Sequence, residues 1–293
     1  VGLTSLEALL LLFGGMPWLE AIDHSLTTLA TGGFSPRNAS IGAYDSAYLR
    51  GVIMFFMLCA GTNFVLHFRL LRGRWRDVAR DGELRWFLSL LLLFAAPIAL
   101  VLIGAGQTLG SSVEDALFTV ISLVTTTGYG TVDFEQWPIV LHGLLIPLLI
   151  FGGMAGSTGG GVKTLRTLIA FRAIRMSFRQ MLHPHALTPV TYRGQRVPFD
   201  VLDGIWGFFA VYFLIALIGM LVINVAGADL VTAWSASLTA IGNVGPGLGD
   251  VGPSDNFGWL PGYAKWALTA LMLCGRLEVY TVVLLLLPGF WRR

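Results

Sequence analysis

The residues best placed to do chemistry in this chain would do it with their main chain. Thr126-Thr127-Gly128 superposes without gaps on Thr31-Gly32-Gly33 and on Asn243-Val244-Gly245, and each triplet follows a short apolar stretch and precedes a long one. Glycine reaches backbone angles that can aim carbonyl oxygens to one side, and a ring of such oxygens can replace the water shell of a cation. One Gly/Thr turn of this kind reads as an ordinary outer turn. Three at matching offsets, with Ala21, Ala116 and Ala233 at the head and Gly33, Gly128 and Gly245 near the foot, read as a repeated pore loop. The expected chemistry is coordination and passage of a cation, with threonine hydroxyls at the inner edge.

Such loops need a membrane around them, and composition supplies one. Hydrophobic residues make up 55% of the 293 residues and charged ones 12%, against about 25% charged in a soluble domain. Near-continuous apolar runs over residues 88–103, 201–225 and 264–288 approach the roughly 20 residues a helix needs to cross hydrocarbon, and no alternating ten-residue strands suggest a membrane barrel. Arginines crowd two connections, Arg69 to Arg85 and Arg166 to Arg196, with Lys163 at the head of the second. The positive-inside rule makes both cytoplasmic. The three triplets then face outward among Glu114, Asp115, Asp133, Glu135, Asp229, Asp250 and Asp255, an acidic mouth suited to cations. The net charge of +2 follows from this orientation and gives no reason to expect a nucleic-acid partner.

The elements that must position the triplets follow as three units of outer helix, re-entrant pore helix, filter and inner helix. The expected fold is an all-α integral membrane protein. Residues 1–68 form one pore repeat, 69–85 a cytoplasmic linker, 86–162 a second repeat, 163–200 another linker and 201–293 the last repeat. Inner helices are expected over 47–68, 137–162 and 264–287. An irregular filter is tolerated at membrane depth only where it lines a water-filled path or is buried in protein, and three units about an axis leave one side open. The first apolar stretch ends at Met16, too short for a span, so the chain reads as a fragment beginning inside a helix, with a further N-terminal unit expected to close the ring.

Two features lie on the cytoplasmic side of the triplets. Gly152-Gly153-Met154-Ala155-Gly156-Ser157-Thr158-Gly159-Gly160-Gly161 interrupts an inner helix, and each glycine weakens a helix by about 1 kcal/mol relative to alanine. The helix should break there, leaving a loop that could sit in the ion path or serve as a hinge. Val162 separates Gly161 from Lys163, so the run is not a nucleotide-binding loop. Arg276 interrupts the last apolar run, and a charge at the bilayer centre costs about 2.5–3.5 kcal/mol on insertion scales. It should face the pore or pair with Glu278 or Glu7. His183-Pro184-His185 reads as a solvated loop, and Cys59 and Cys274, the only cysteines, as small packing residues without a disulfide.

Taken together, Ala30-Thr-Gly-Gly-Phe-Ser35, Ala60-Gly-Thr-Asn-Phe64, Thr126-Thr-Gly-Tyr-Gly130, the glycine run, Gly242-Asn-Val-Gly-Pro-Gly247 and Gly275-Arg-Leu-Glu278 resemble the TrkH/TrkG/KtrB family of bacterial potassium uptake subunits. The resemblance covers nearly the whole chain, and Thr-Thr-Gly-Tyr-Gly also resembles the potassium-channel filter. It implies four non-identical helix, pore loop, helix units around one pore, with Gly33, Gly128 and Gly245 each helping to coordinate potassium. It further implies that Gly152, Gly153, Gly156, Ser157, Thr158, Gly159, Gly160 and Gly161 form an intramembrane gate with a pore-facing Arg276. A homodimer in the bacterial inner membrane, and a cytosolic nucleotide-binding regulatory subunit of TrkA or KtrA type, are implied as partners beside membrane lipid. Potassium is then cargo, with no cofactor bound by this chain. The other reading is an ion-coupled secondary transporter, a potassium/sodium or potassium/proton symporter. Repeats running in one topological sense disfavour it. No His/Asp/Ser constellation at membrane depth suggests an enzyme.

Overall fold

The structure is a computed structural model in which residues 1–183 and 189–291 are described. His185, half of the expected loop pair, lies outside them. Proline, glycine and asparagine punctuate the apolar runs, so the chain folds as short helices between two long ones. Helix α1 (Gly2–Phe13) ends at Gly14-Gly15, and Pro17 starts α2 (Trp18–Leu29). Ser46 caps α3 (Ala47–Gly61), and α4 (Phe64–Leu71) and α5 (Trp75–Ala79) follow. Asp81 caps α6 (Gly82–Gly104) with two backbone N–H bonds, and Thr108 caps α7 (Leu109–Val124). Next come α8 (Ile139–Leu148) and α9 (Thr164–Leu182), then a hairpin of β1 (Thr191–Tyr192) and β2 (Gln195–Arg196). The last part holds α10 (Phe199–Val225), α11 (Leu230–Gly242), α12 (Gly262–Arg276), α13 (Val279–Leu286) and α14 (Pro288–Trp291).

Burial sorts these helices by role. α7 and α11 are buried along most of their length, and α2 buries Ala21, His24, Ser25, Thr28 and Leu29. α6 and α10 are long and apolar enough to span a bilayer and leave Leu92, Leu93, Leu100, Leu214, Ile218 and Leu221 exposed. Apolar side chains outside and hydroxyl-bearing helices inside is the inverse of a soluble core, and it suits lipid as solvent. Each of α2, α7 and α11 packs against its neighbours in sequence: α1 and α3, α6 and α8, α10 and α12. Cys59 and Cys274 are both free.

The inner helices depart from expectation in two places. Continuous helices were expected over 47–68 and 264–287, but α3 and α4 meet at 106° and α12 and α13 at 113°. Asn63 makes the first break: its Oδ1 accepts from Val65 N at 2.8 Å while its Nδ2 donates to the Ala155 carbonyl at 2.5 Å. These bonds offer the backbone an alternative to the helical ladder. The second break passes through Glu278 at φ +69°. The segment 163–200, expected as a cytoplasmic linker, contains α9, whose Thr164, Thr167, Leu168, Ile169, Ala170 and Ala173 are buried. The short hairpin after it departs from a purely helical fold.

Candidate functional site

Each pore helix ends in the same backbone figure. Thr31, Thr126 and Asn243 take left-handed conformations at φ 52°, 59° and 55°, and two residues on Gly33, Gly128 and Gly245 are again at positive φ. The N–H groups of Thr31, Thr126 and Asn243 donate to Thr28, Leu123 and Ala240 at 3.0, 3.1 and 3.1 Å. Those of Gly32, Thr127 and Val244 donate to Thr27, Ser122 and Thr239 at 2.7, 3.0 and 2.9 Å. This double closure is usually made with glycine at the left-handed position. A β-branched threonine there is a true outlier, of the kind that costs about 1–3 kcal/mol and gathers at functional sites.

Side chains of the pore helices then staple the extended residues. Thr27 Oγ1 donates to the Phe34 carbonyl at 3.0 Å and Ser122 Oγ to the Tyr129 carbonyl at 2.7 Å. In the third unit Thr239 Oγ1 accepts from Gly245 N at 2.8 Å. Thr27, Ser122 and Thr239 occupy one position of the repeat, a hydroxyl in every copy, which was visible in the sequence and not singled out. Tyr129 ties two units together, its hydroxyl 2.6 Å from Thr27 Oγ1.

The three segments lie side by side. A Cβ on Gly33 would run into the Thr127 carbonyl, and one on Gly128 into the Val244 carbonyl. Gly245 meets nothing within 4 Å. Beside it a cleft of about 550 Å³ separates the third segment from the first, lined by Thr31, Gly32, Phe34, Asn243, Val244 and Gly245 among others. The arrangement is a partial ring with one open side.

The glycine run forms a compact loop against this ring. It leaves α8 and returns to α9 through a parallel bridge of Phe151 with Val162. Gly160 N donates to Thr126 Oγ1 at 2.6 Å, and the Thr158 carbonyl accepts from Thr31 Oγ1 at 3.0 Å. A Cβ on Gly159 would stand 3.0 Å from the Thr125 carbonyl, and one on Gly160 2.5 Å from the Gly242 carbonyl. Only glycine permits that approach, and through it the loop touches all three segments. Gly152 and Gly153 pack where the loop closes on itself, and the carbonyl of Gly156 accepts from Phe64 N at 3.2 Å. Ser157 Oγ turns back onto the Met154 carbonyl at 2.6 Å, and Gly161 takes φ +62°.

Two cations hold the loop. Arg276 Nη1 donates to the Thr158 carbonyl at 2.9 Å, and Lys163 Nζ donates to the Gly159 carbonyl. The pairings of Arg276 with Glu278 or Glu7, open from sequence, are not formed. Glu278 instead pairs with Arg166 at 2.7 Å, and Glu7 is buried without an ion pair. Arg276 is exposed at the end of α12, beside the open cleft. Sequence reasoning named Lys163 and Asn63 without giving them a part in holding the loop, and passed over Glu83, whose Oε1 accepts from Ala155 N at 2.7 Å. Glu83 gave a signal of its own, being a carboxylate next to a run of apolar residues.

At the outer mouth Arg37 pairs with Glu20 at 2.6 Å, and Arg50 pairs with Glu114. Among the described residues Asp133, Glu135, Asp250 and Asp255 make no ion pair, so the mouth keeps its negative character. Those residues hold no cluster of His, Cys, Asp or Glu able to chelate a metal.

Comparison with known proteins places the whole chain in one family. The TrkH family, described as cation transport protein, matches over residues 8–109 and 86–289. The potassium uptake protein TrkH of Salmonella typhimurium is 40% identical over 293 residues, covering 99% of this chain and 60% of its own. TrkI of Halomonas elongata is 39% identical over 294 residues, covering all of this chain and 60% of its own. The crystal structure of the potassium transporter TrkH from Vibrio parahaemolyticus superposes with a TM-score of 0.91 at 35% identity, over 99% of this chain and 63% of that one. The chain thus spans about 60% of the length of the curated relatives it matches.

Proposed function

Because the chain belongs to the TrkH family of cation transport proteins, we propose that it builds part of a potassium-conducting pore in a bacterial inner membrane. The observation that carries this reading is the threefold figure of a left-handed residue, one spacer and a positive-φ glycine at the end of a buried helix. Repeated backbone of that kind supports coordination by the carbonyls of Thr31, Gly32, Gly33, Thr126, Thr127, Gly128, Asn243, Val244 and Gly245, which exchange the water shell of potassium for fixed dipoles. In this reading the cleft between Gly245 and Thr31 is the place of a fourth equivalent segment.

In this reading the loop over residues 152–161 is the gate. Closed, it is held against the filter by the hydroxyls of Thr31 and Thr126, while Arg276 and Lys163 place positive charge next to the ion path. Opening requires those bonds to yield. The pore repeats are 1–68, 86–162 and 201–293. A homodimer and a nucleotide-binding cytosolic subunit acting on the arginine-rich face belong to the same proposal, and any nucleotide would bind on that subunit. The relatives named above are potassium uptake proteins, and the matching fold supports the same cargo here.

Complementation tests the reading. Cells lacking potassium uptake should regain growth on low potassium when they express the full-length protein, and lose it with Gly128→Ser. Equal growth of both strains, with equal expression, would refute a filter at Gly128.

A further inference from the structure

The arginine-rich side carries a pocket that ion conduction does not use. It measures about 570 Å³ and lies between α4, α5, the start of α6, α9 and the β-hairpin. Six arginines line it against two aspartates. Both aspartates are already engaged: Asp77 with Arg74 at 2.6 Å, and Asp81 with Arg193 at 2.7 Å. Arg172 donates to the Thr191 carbonyl at 2.6 Å and Arg85 to the Ala79 carbonyl at 2.9 Å, neutral acceptors that leave the charge in place. Among the described residues, Arg69 and Arg80 make no side-chain hydrogen bond at all. Six guanidinium groups against two carboxylates that are already paired leave an excess of positive charge, a site for a phosphate, which planar guanidinium forks grip well.

The exposed residues that flank Arg69 and Arg74 in α4 and α5 say where the phosphate comes from. α4 turns 106° from α3, with which it forms a bent apolar pair, and so leaves the direction of that helix. Along it and α5, Phe68, Leu71 and Trp75 are exposed by 53%, 88% and 59%. Arg72 stacks on the Phe68 ring at 4.2 Å and Arg76 on the Trp75 ring at 5.2 Å. Apolar and aromatic side chains lying beside a basic surface suit the boundary between acyl chains and headgroups. By the positive-inside rule that boundary faces the cytoplasm, where basic pockets between spanning helices meet anionic headgroups.

We propose that this pocket binds the phosphate of an anionic phospholipid of the inner leaflet, with the acyl chains against Phe68, Leu71 and Trp75. The site fixes α4 and the hairpin relative to the membrane. It is independent of which ion the pore passes.

Native mass spectrometry of the full-length protein, purified in detergent with equal amounts of phosphatidylglycerol and phosphatidylcholine, tests this. The wild type should retain phosphatidylglycerol preferentially. Arg69→Gln with Arg80→Gln should weaken that preference by about fivefold per arginine with little change in melting temperature, and excess inorganic phosphate should not abolish it. Unchanged preference in the double variant would overturn the proposal. Displacement of the lipid by inorganic phosphate alone would assign the pocket to the free anion and likewise overturn it. If the double variant melts early, Phe68→Ser with Leu71→Ser decides, because these exposed residues should lower lipid retention and leave phosphate binding unaltered. Loss of a cytosolic protein partner in the double variant, with lipid retention intact, would make the pocket a protein-docking surface and sink the lipid assignment.

Discussion

Arg276 donates from Nη1 to the main-chain oxygen of Thr158 at 2.9 Å. A guanidinium that sequence alone would let pair with a carboxylate is thus bonded to a neutral carbonyl. The same oxygen accepts from Thr31 Oγ1 at 3.0 Å, so one atom joins the loop to α12 and to the first of the three repeated segments.

Replacing Arg276 by alanine should raise basal cation flux. A unit charge ~8 Å from the ion, at an effective dielectric of ~20, repels it by about 2 kcal/mol, which bounds the gain at roughly thirtyfold. Because Glu278 keeps its Arg166 partner, no carboxylate is stranded and stability should change by less than about 1 kcal/mol. Tracer flux and thermal melting on one purified variant check both points. A destabilised protein with no added flux would rule out the barrier role.

Shortening the loop within residues 155–160 should raise flux without the cytosolic partner and leave ion preference almost intact. The loop bonds the side chains of Thr31 and Thr126 and is not itself one of the three repeated segments to which the proposal assigns ion coordination. Flux in liposomes with and without the partner is the measurement. A well-folded shortened protein whose flux still depends wholly on the partner would contradict a gate.

Thr126→Gly separates strain from contact. Glycine takes φ 59° without cost, so the filter backbone should be kept and even relieved by about 1 kcal/mol. The variant loses the Oγ1 that accepts from Gly160 N at 2.6 Å. Basal flux should therefore rise with selectivity retained. A fall in selectivity with unchanged basal flux would show the hydroxyl to act in the filter instead.

Ser122→Ala removes the donor to the Tyr129 carbonyl, leaving a buried acceptor unpaired. That should cost about 1–3 kcal/mol and lower the melting temperature. Ser122→Thr should recover much of it, since the equivalent position in both other units is threonine. A melting temperature that alanine leaves unmoved would argue against the staple.

Much of this was legible in the sequence because the repeat is internal. Gly33, Gly128 and Gly245 align without gaps, and the structure gives all three a positive φ. The glycine run announced its own break through propensity alone. The breaks at Asn63 and Glu278 were not legible, because each is decided by distant groups. Asn63 bends the chain by bonding the Ala155 carbonyl, 92 residues away, and apolar periodicity carries no trace of that bond. The partner of Arg276 was hidden for the same reason, since any carbonyl can accept and only the fold selects Thr158. Segment 163–200 was expected as a cytoplasmic linker, and its arginines gave no sign of the helix α9 within it. Arg175 and Arg179 lie on the exposed side of α9, while its buried side packs on α6 and α10.

The central claim is that the three backbone figures form a potassium filter, and selectivity measured at Gly128 tests it most directly. Gly128 sits at φ +82°, where a Cβ would collide with the Val244 carbonyl of the next segment. Rubidium tracer uptake by the full-length protein in liposomes should be blocked by excess potassium and little affected by excess sodium. Gly128→Ser should bring the two competitors close to parity, because the side chain displaces the carbonyls that match potassium. If sodium competes as well as potassium in the wild type, or if Gly128→Ser leaves the discrimination unchanged, the carbonyls of these segments do not form the filter.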